Sequence, residues 1–134
     1  MRLSKERRIP QSEPVAKKSA GFILRSRLRV ERGKEIALGP GKVELLKHIA
    51  NTGSIAEAAE RMGMSYMRAW KLVKTMEACF RQPLVEARRG GSARGGATLT
   101  KTGTEVLKLY REMEAACVLA TGKQWARLRR HLRH

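Results

Sequence analysis

Three observations predict a mainly α-helical fold with small β-hairpins. Apolar and capping residues from Ser54 to Leu72 follow two short helical periods that break at Gly63. Strict alternation over Phe22–Val30 reads as a half-buried strand near the N-terminus. Two short apolar runs, 84–87 and 97–100, bracket the glycine- and arginine-rich stretch RRGGSARGG and read as a hairpin, after which a long amphipathic helix follows.

The elements follow in order. Met1 to Ala20 has few apolar residues and two prolines, so residues 1–20 are expected to be a disordered basic arm. From Phe22, the side chains of Phe22, Leu24, Leu28 and Val30 fall on one face of a strand and Arg25, Arg27 and Arg29 on the other. The arginine face fits a solvated sheet surface better than a nucleic-acid contact. A turn at Arg32–Gly33–Lys34 returns the chain into Ile36 and Leu38. Gly39–Pro40–Gly41 then marks a helix entry, since proline pre-sets the first turn. Val43, Leu46, Ile49 and Ala50 line its inner face, His48 sits one residue off that face as a partly exposed structural histidine, and Gly53 ends it.

The next segment carries the strongest local signal. Ser54 caps a helix, and Glu57 three residues on has the spacing of a capping box. Ala58, Ala59 and Met62 share its inner face. Gly63 occupies a turn that demands positive φ, which glycine alone adopts cheaply. Ser65 caps the second helix, which runs to about Phe80 with Ala69, Leu72, Val73, Met76 and Phe80 inward. Ala59 is small enough for the two helices to touch, and Trp70 follows Ala69 on the inward flank. This is a helix-turn-helix, a unit that sets its second helix in the DNA major groove. The candidate contacts are Ser65, Tyr66, Met67, Arg68, Lys71 and Lys74; the alternative is a solvated basic helix face. The hairpin that follows Pro83 has the length and composition of a wing, with Arg88, Arg89 and Arg94 available to phosphates or a minor groove. The whole reads as a winged helix-turn-helix domain over 21–122 with a basic tail over 123–134.

Thr102, with Glu105 three residues on, is expected to cap the last long helix. Its stripe of Val106, Tyr110, Met113, Cys117 and Ala120 suits either a dimerisation helix or packing on its own domain; Leu107 and Leu109 widen the apolar surface and favour the dimer. The QWARLRRHLRH tail fits an extended helix, a phosphate contact or a frayed end alike.

Composition narrows the function. The 134 residues suffice for one core, and 29 Lys and Arg against 12 acids leave a net charge of +17. That excess favours phosphate polymers or anionic surfaces as partners. It is concentrated in the periphery: +8 over residues 1–34, +1 over 35–80, +3 over 81–100 and +5 over 101–134. All the acids are Glu, which weighs against carboxylate–Mg²⁺ clusters and Asp-assisted triads. No Lys-Ser or Lys-Thr pair follows the glycines of 90–96, so a P-loop is disfavoured, and His131 and His134 lie in the tail away from any nucleophile. An enzyme is not expected, nor a metal. Cys79 and Cys117 match no zinc spacing and read as small buried hydrophobes in a reducing cytoplasm. No apolar run reaches the 18 residues of a membrane span, so no membrane partner is expected.

The segments LLKHIANTGSI (45–55), SYMRAW (65–70), LVEARRGGSARGGATLT (84–100) and TGTEVLKLY (102–110) resemble the N-terminal DNA-binding domain of the ModE molybdate-responsive regulators, and more distantly the LysR-type regulators. The resemblance implies a homodimer, joined through its long helices and first strands, that binds double-stranded DNA at a palindromic operator. It implies repression of genes for molybdate uptake or molybdenum-enzyme assembly. It places Ser65, Tyr66 and Arg68 in the recognition helix and Arg88, Arg89 and Arg94 in the wing. Met67 departs from the pattern, standing where the family often has Lys. ModE proteins continue into oxyanion-binding domains past the point where this sequence stops, so no molybdate cofactor site is expected in it. Constitutive action, a separate oxyanion-sensing partner or mixed dimers would follow. The rival reading is a nucleoid-associated protein that binds DNA or RNA non-specifically through its basic ends; RNA is disfavoured by six scattered aromatics without a stacking motif.

Overall fold

A computed structural model describes residues 21–88 and 96–133 of the chain. It divides into two compact units, one spanning Ser26–Cys117 and one made of residues up to Arg25 together with those from Val118 onward. Among the described residues there are five helices and two antiparallel hairpins.

β1 (Val30–Arg32) and β2 (Glu35–Leu38) pair through a turn at Gly33, whose φ of 59° is the left-handed value expected there. The strand is much shorter than the alternation predicts, beginning only at Val30. Residues 24, 26 and 28 do alternate inward, but side chains hold the segment where a sheet partner was expected. Ser26 Oγ donates to the Glu114 carbonyl (3.2 Å), and the Tyr110 hydroxyl donates to the Leu28 carbonyl (2.7 Å). Phe22 and Val30 are exposed, against expectation.

α1 (Pro40–Thr52) starts with proline in its first turn and closes on Gly53 at φ 74°. Val43, Leu45, Leu46 and Ile49 are buried along it. Ala50, expected inward, is exposed in the last turn, while Leu45 is fully buried. The reason is that α1 is the central helix and feeds two cores. Val43 and Leu46 join Leu38, Met76, Leu84, Leu107 and Tyr110, whereas Leu45 and Ile49 join Ala58, Ala59, Ala69, Val73 and Ala97. His48 is partly exposed as expected, with Nε2 3.6 Å from Glu44.

α2 (Ile55–Arg61) and α3 (Tyr66–Glu77) form the helix-turn-helix, with Gly63 at φ 69° between them. Ser54 Oγ accepts the Glu57 N–H as anticipated, but the capping box is only half formed. The Ser54 N–H is taken by Thr52 Oγ1 at 3.2 Å, which leaves the Glu57 carboxylate no donor to reach back for. β3 (Val85–Arg88) pairs with β4 (Gly96–Leu99), shifted one residue from the expected runs, because Leu84 is fully buried beneath the hairpin.

α4 (Lys101–Ala120) is capped by Thr100 and not by Thr102. Thr100 Oγ1 accepts the Gly103 N–H (2.9 Å) and donates to the Pro83 carbonyl (2.7 Å), fixing the helix start to the chain that enters the wing. Gly103 permits this approach: a Cβ there would overlap the Leu84 carbonyl oxygen. In the other unit, α5 (Gly122–Arg129) makes the basic tail a separate helix, with the Arg129 guanidinium over the Trp125 ring. The cysteines are half-buried, not buried, and the Cys79 thiol donates to the Thr75 carbonyl. No described helix is long and apolar enough to cross a membrane, and no described cluster of His, Cys or Glu is placed to hold a metal.

Candidate nucleic-acid interface

The local chemistry of α3 orients its two faces. Ser65 has extended backbone angles and its Oγ accepts the Arg68 N–H at 3.1 Å, satisfying one of the unpaired donors of the first turn. Ala69, Val73 and Met76 then anchor one side in the core. The other side carries Met67, Arg68, Lys71, Lys74 and Thr75, all exposed, and Tyr66 is exposed at the helix start. Every sequence-predicted contact of this helix, together with Ser65, therefore stands open.

Arg68 lines a cleft together with Met62, Met64 and Leu72 and with Arg29 and Lys42. Lys74 Nζ sits 5.5 Å from the centroid of the Trp70 ring and 3.6 Å from Glu77 Oε1. The other Glu77 oxygen accepts the N–H groups of both Leu84 and Val85 at 2.8 Å. One carboxylate thus links the end of α3 to the root of the hairpin. β4 is tied in as well, through the Ala97 N–H to the Gly53 carbonyl at 2.9 Å. Arg88 ends β3, exposed and opposite Gly96; Arg89 and Arg94 lie outside the described residues.

Two residues of this region were not identified from sequence. Trp70, expected inward, is 39% exposed. It lies about 100° around the helix axis from Ala69, past the edge of the buried arc, and that angle was the available signal. Glu77 gave no signal, because its partners are main-chain donors seven and eight residues on.

The long helix is placed in two parts. Tyr110 is buried in the domain's own core with Val106 packed against that cluster, so these two fill the intramolecular role that the stripe also allowed. Cys117 is half-buried, while Met113 and Leu109 are exposed at 48% and 46%.

A buried-anchor, open-face helix followed by a hairpin wing defines a winged helix-turn-helix module. Residues 41–104 match the model for the bacterial regulatory helix-turn-helix protein, lysR family. The crystal structure of the CbnR_DBD–DNA complex shares the fold, with a TM-score of 0.51 at 22% identity, covering 66% of this chain and 95% of that one. The resemblance to ModE is borne out in sequence. The chain is 38% identical over 95 residues to the molybdenum-pterin-binding protein MopA of Rhodobacter capsulatus, which is 71% of this chain and 36% of that protein. It is 37% identical over 83 residues to the DNA-binding transcriptional dual regulator ModE of Escherichia coli K12, 62% of this chain and 32% of that one. The chain therefore spans about a third of the length of these relatives.

Proposed function

We propose that the protein is a DNA-binding transcription regulator that acts as a homodimer on a palindromic operator and represses genes of molybdenum uptake or use. The observation that carries this reading is the α3 surface: a capped helix, anchored by Ala69, Val73 and Met76, whose outer arc is open and cationic and whose far end is clasped to a wing. Residues at the start of such a helix meet base edges, and Arg68 has the donor geometry for a bidentate contact to guanine. Arg88 at the end of β3 would supply a phosphate contact from the hairpin, and the sequence offers Arg89 and Arg94 beside it. The relative named as a DNA-binding dual regulator and the neighbour solved with DNA support the partner. The molybdenum link rests on relatives named for molybdenum-pterin binding and molybdenum transport.

A genome-wide footprint of the purified protein, with and without molybdate, tests the reading. The expected result is a small set of two-fold symmetric sites near molybdenum genes. Uniform coverage without preferred sites would instead favour the non-specific reading that the +17 charge invites. Arg68→Ala and Lys71→Ala are expected to weaken binding to a preferred site more than to random duplex.

A further inference from the structure

We infer that Trp70, with Tyr66 and Met67, forms an apolar reading strip on the recognition helix that packs against the 5-methyl groups of thymines in the major groove. This rests on the DNA-binding reading above and names what that helix reads.

The observation is an unusual composition for a surface meant for phosphate polymers. Of the exposed side chains of α3, three are large and mainly apolar: Tyr66 at 47% exposure, Met67 at 63% and Trp70 at 39%, running from the edge of the buried arc outward. Tyr66 and Trp70 are four residues apart and so neighbours on the helix surface, with Met67 beside them. Lys71 and Lys74 border the strip, and the helix start it occupies is the part of such a unit that enters the groove. The Lys74 ammonium stands 5.5 Å from the centroid of the indole and 3.6 Å from Glu77 Oε1, a weak cation–ring contact that favours the ring's place beside Lys74 on the helix surface.

The chemistry of the groove then selects the partner group. Base edges in the major groove present hydrogen-bond donors and acceptors, and one apolar group, the thymine methyl. The Trp70 ring and the Met67 thioether chain offer little to the polar edges and remove apolar surface from water only against that methyl. The bordering cations suit the phosphates on either side of the groove. A protein partner would have to be acidic at its rim and apolar at its centre to fit the same strip, which makes it the alternative outcome of the test.

The experiment uses the full chain and duplexes selected from a random 30-bp pool, each then synthesised with thymine and again with uracil, which lacks only the methyl. Burying one methyl corresponds to about a fourfold change in affinity. Uracil replacement under the recognition helix is therefore expected to weaken binding about fourfold per methyl in contact. Trp70→Ala is expected to lose most of that difference, Trp70→Phe to keep part of it, and circular dichroism to show both variants folded. In a Trp125→Phe background, Trp70 fluorescence is expected to change on adding the thymine duplex. Equal binding of thymine and uracil duplexes by a protein that still prefers its selected sequence overturns the inference and leaves the DNA-binding reading intact. Selection that recovers no preferred sequence overturns both, and points to a protein partner for the strip.

Discussion

At the residue scale, two side chains show how local identity becomes tertiary constraint. Gly103 sits in the first turn of α4 where a methyl group would meet the Leu84 backbone. Gly103→Ala is expected to destabilise the domain by about 1–3 kcal/mol in chemical denaturation, since the obstacle is main chain and does not rotate away. Gly41→Ala, with nothing within 4 Å of the added Cβ, is the matched helix-start control and should change stability little. Tyr110 makes the second case. Its phenol is buried and bonded to the Leu28 carbonyl, and burial, with the Glu114 charge adding to it and Arg27 opposing, raises its pKa above the ordinary 10.0. A raised phenol pKa means that its contribution is fully present below about pH 10 and is lost as pH rises through the folded-state value. Tyr110→Phe should lower stability at neutral pH, by leaving the Leu28 carbonyl without this donor, yet flatten the alkaline limb of a stability–pH curve. Neither role was readable from the sequence: periodicity places Tyr110 on a stripe, but the partner that fills the space is 82 residues away.

At the element scale, the helix-turn-helix was the most legible part of the chain, because its determinants are short-range. The caps at Ser54 and Ser65, the positive φ of Gly63 and the small inner residues Ala58, Ala59 and Ala69 all act within one or two turns. The misread elements depend on distant partners: Ser26 and Leu28 alternate as in a strand but are bonded to Glu114 and Tyr110 of α4, and Thr100, which also donates to the Pro83 carbonyl, is the cap in place of Thr102. Ser65 supports a prediction that separates folding from binding. Ser65→Ala should cost about 1 kcal/mol of stability through the lost cap. Ser65→Asp keeps the acceptor and should melt like the parent, but its charge at the start of the recognition helix should weaken duplex binding. Equal losses of affinity in the two variants would remove Ser65 from the interface.

At the scale of the whole molecule, charge and symmetry decide behaviour. The net charge of +17 leaves the central helices nearly neutral, so affinity for duplex should fall steeply with salt, by a slope of about −0.9 per phosphate contacted. Dimerisation is expected through the outer side of α4. Leu109 and Met113 are neighbours there by helical spacing, while Leu107 and Tyr110 hold the inner side in the core. The double variant Leu109→Glu/Met113→Glu should fold normally and sediment as a monomer, with affinity for a two-fold site falling toward that for a half-site. Composition made the anionic-partner reading accessible. The division of one apolar stripe between core and outer face was not, because helical periodicity alone does not say how many neighbours a helix has.

The Glu77 fork has a consequence for how the protein measures its target. Because one of its oxygens accepts the N–H groups of Leu84 and Val85 while the other pairs with Lys74 inside α3, the end of that helix is tied to the root of the hairpin, and the two are expected to act as a caliper of preset span. Each half of a symmetric site should then tolerate no inserted base pair, and variation should be accepted only between halves. Glu77→Ala frees the hinge of that caliper, and binding assays on duplexes with single insertions inside a half should show the penalty for insertion shrinking.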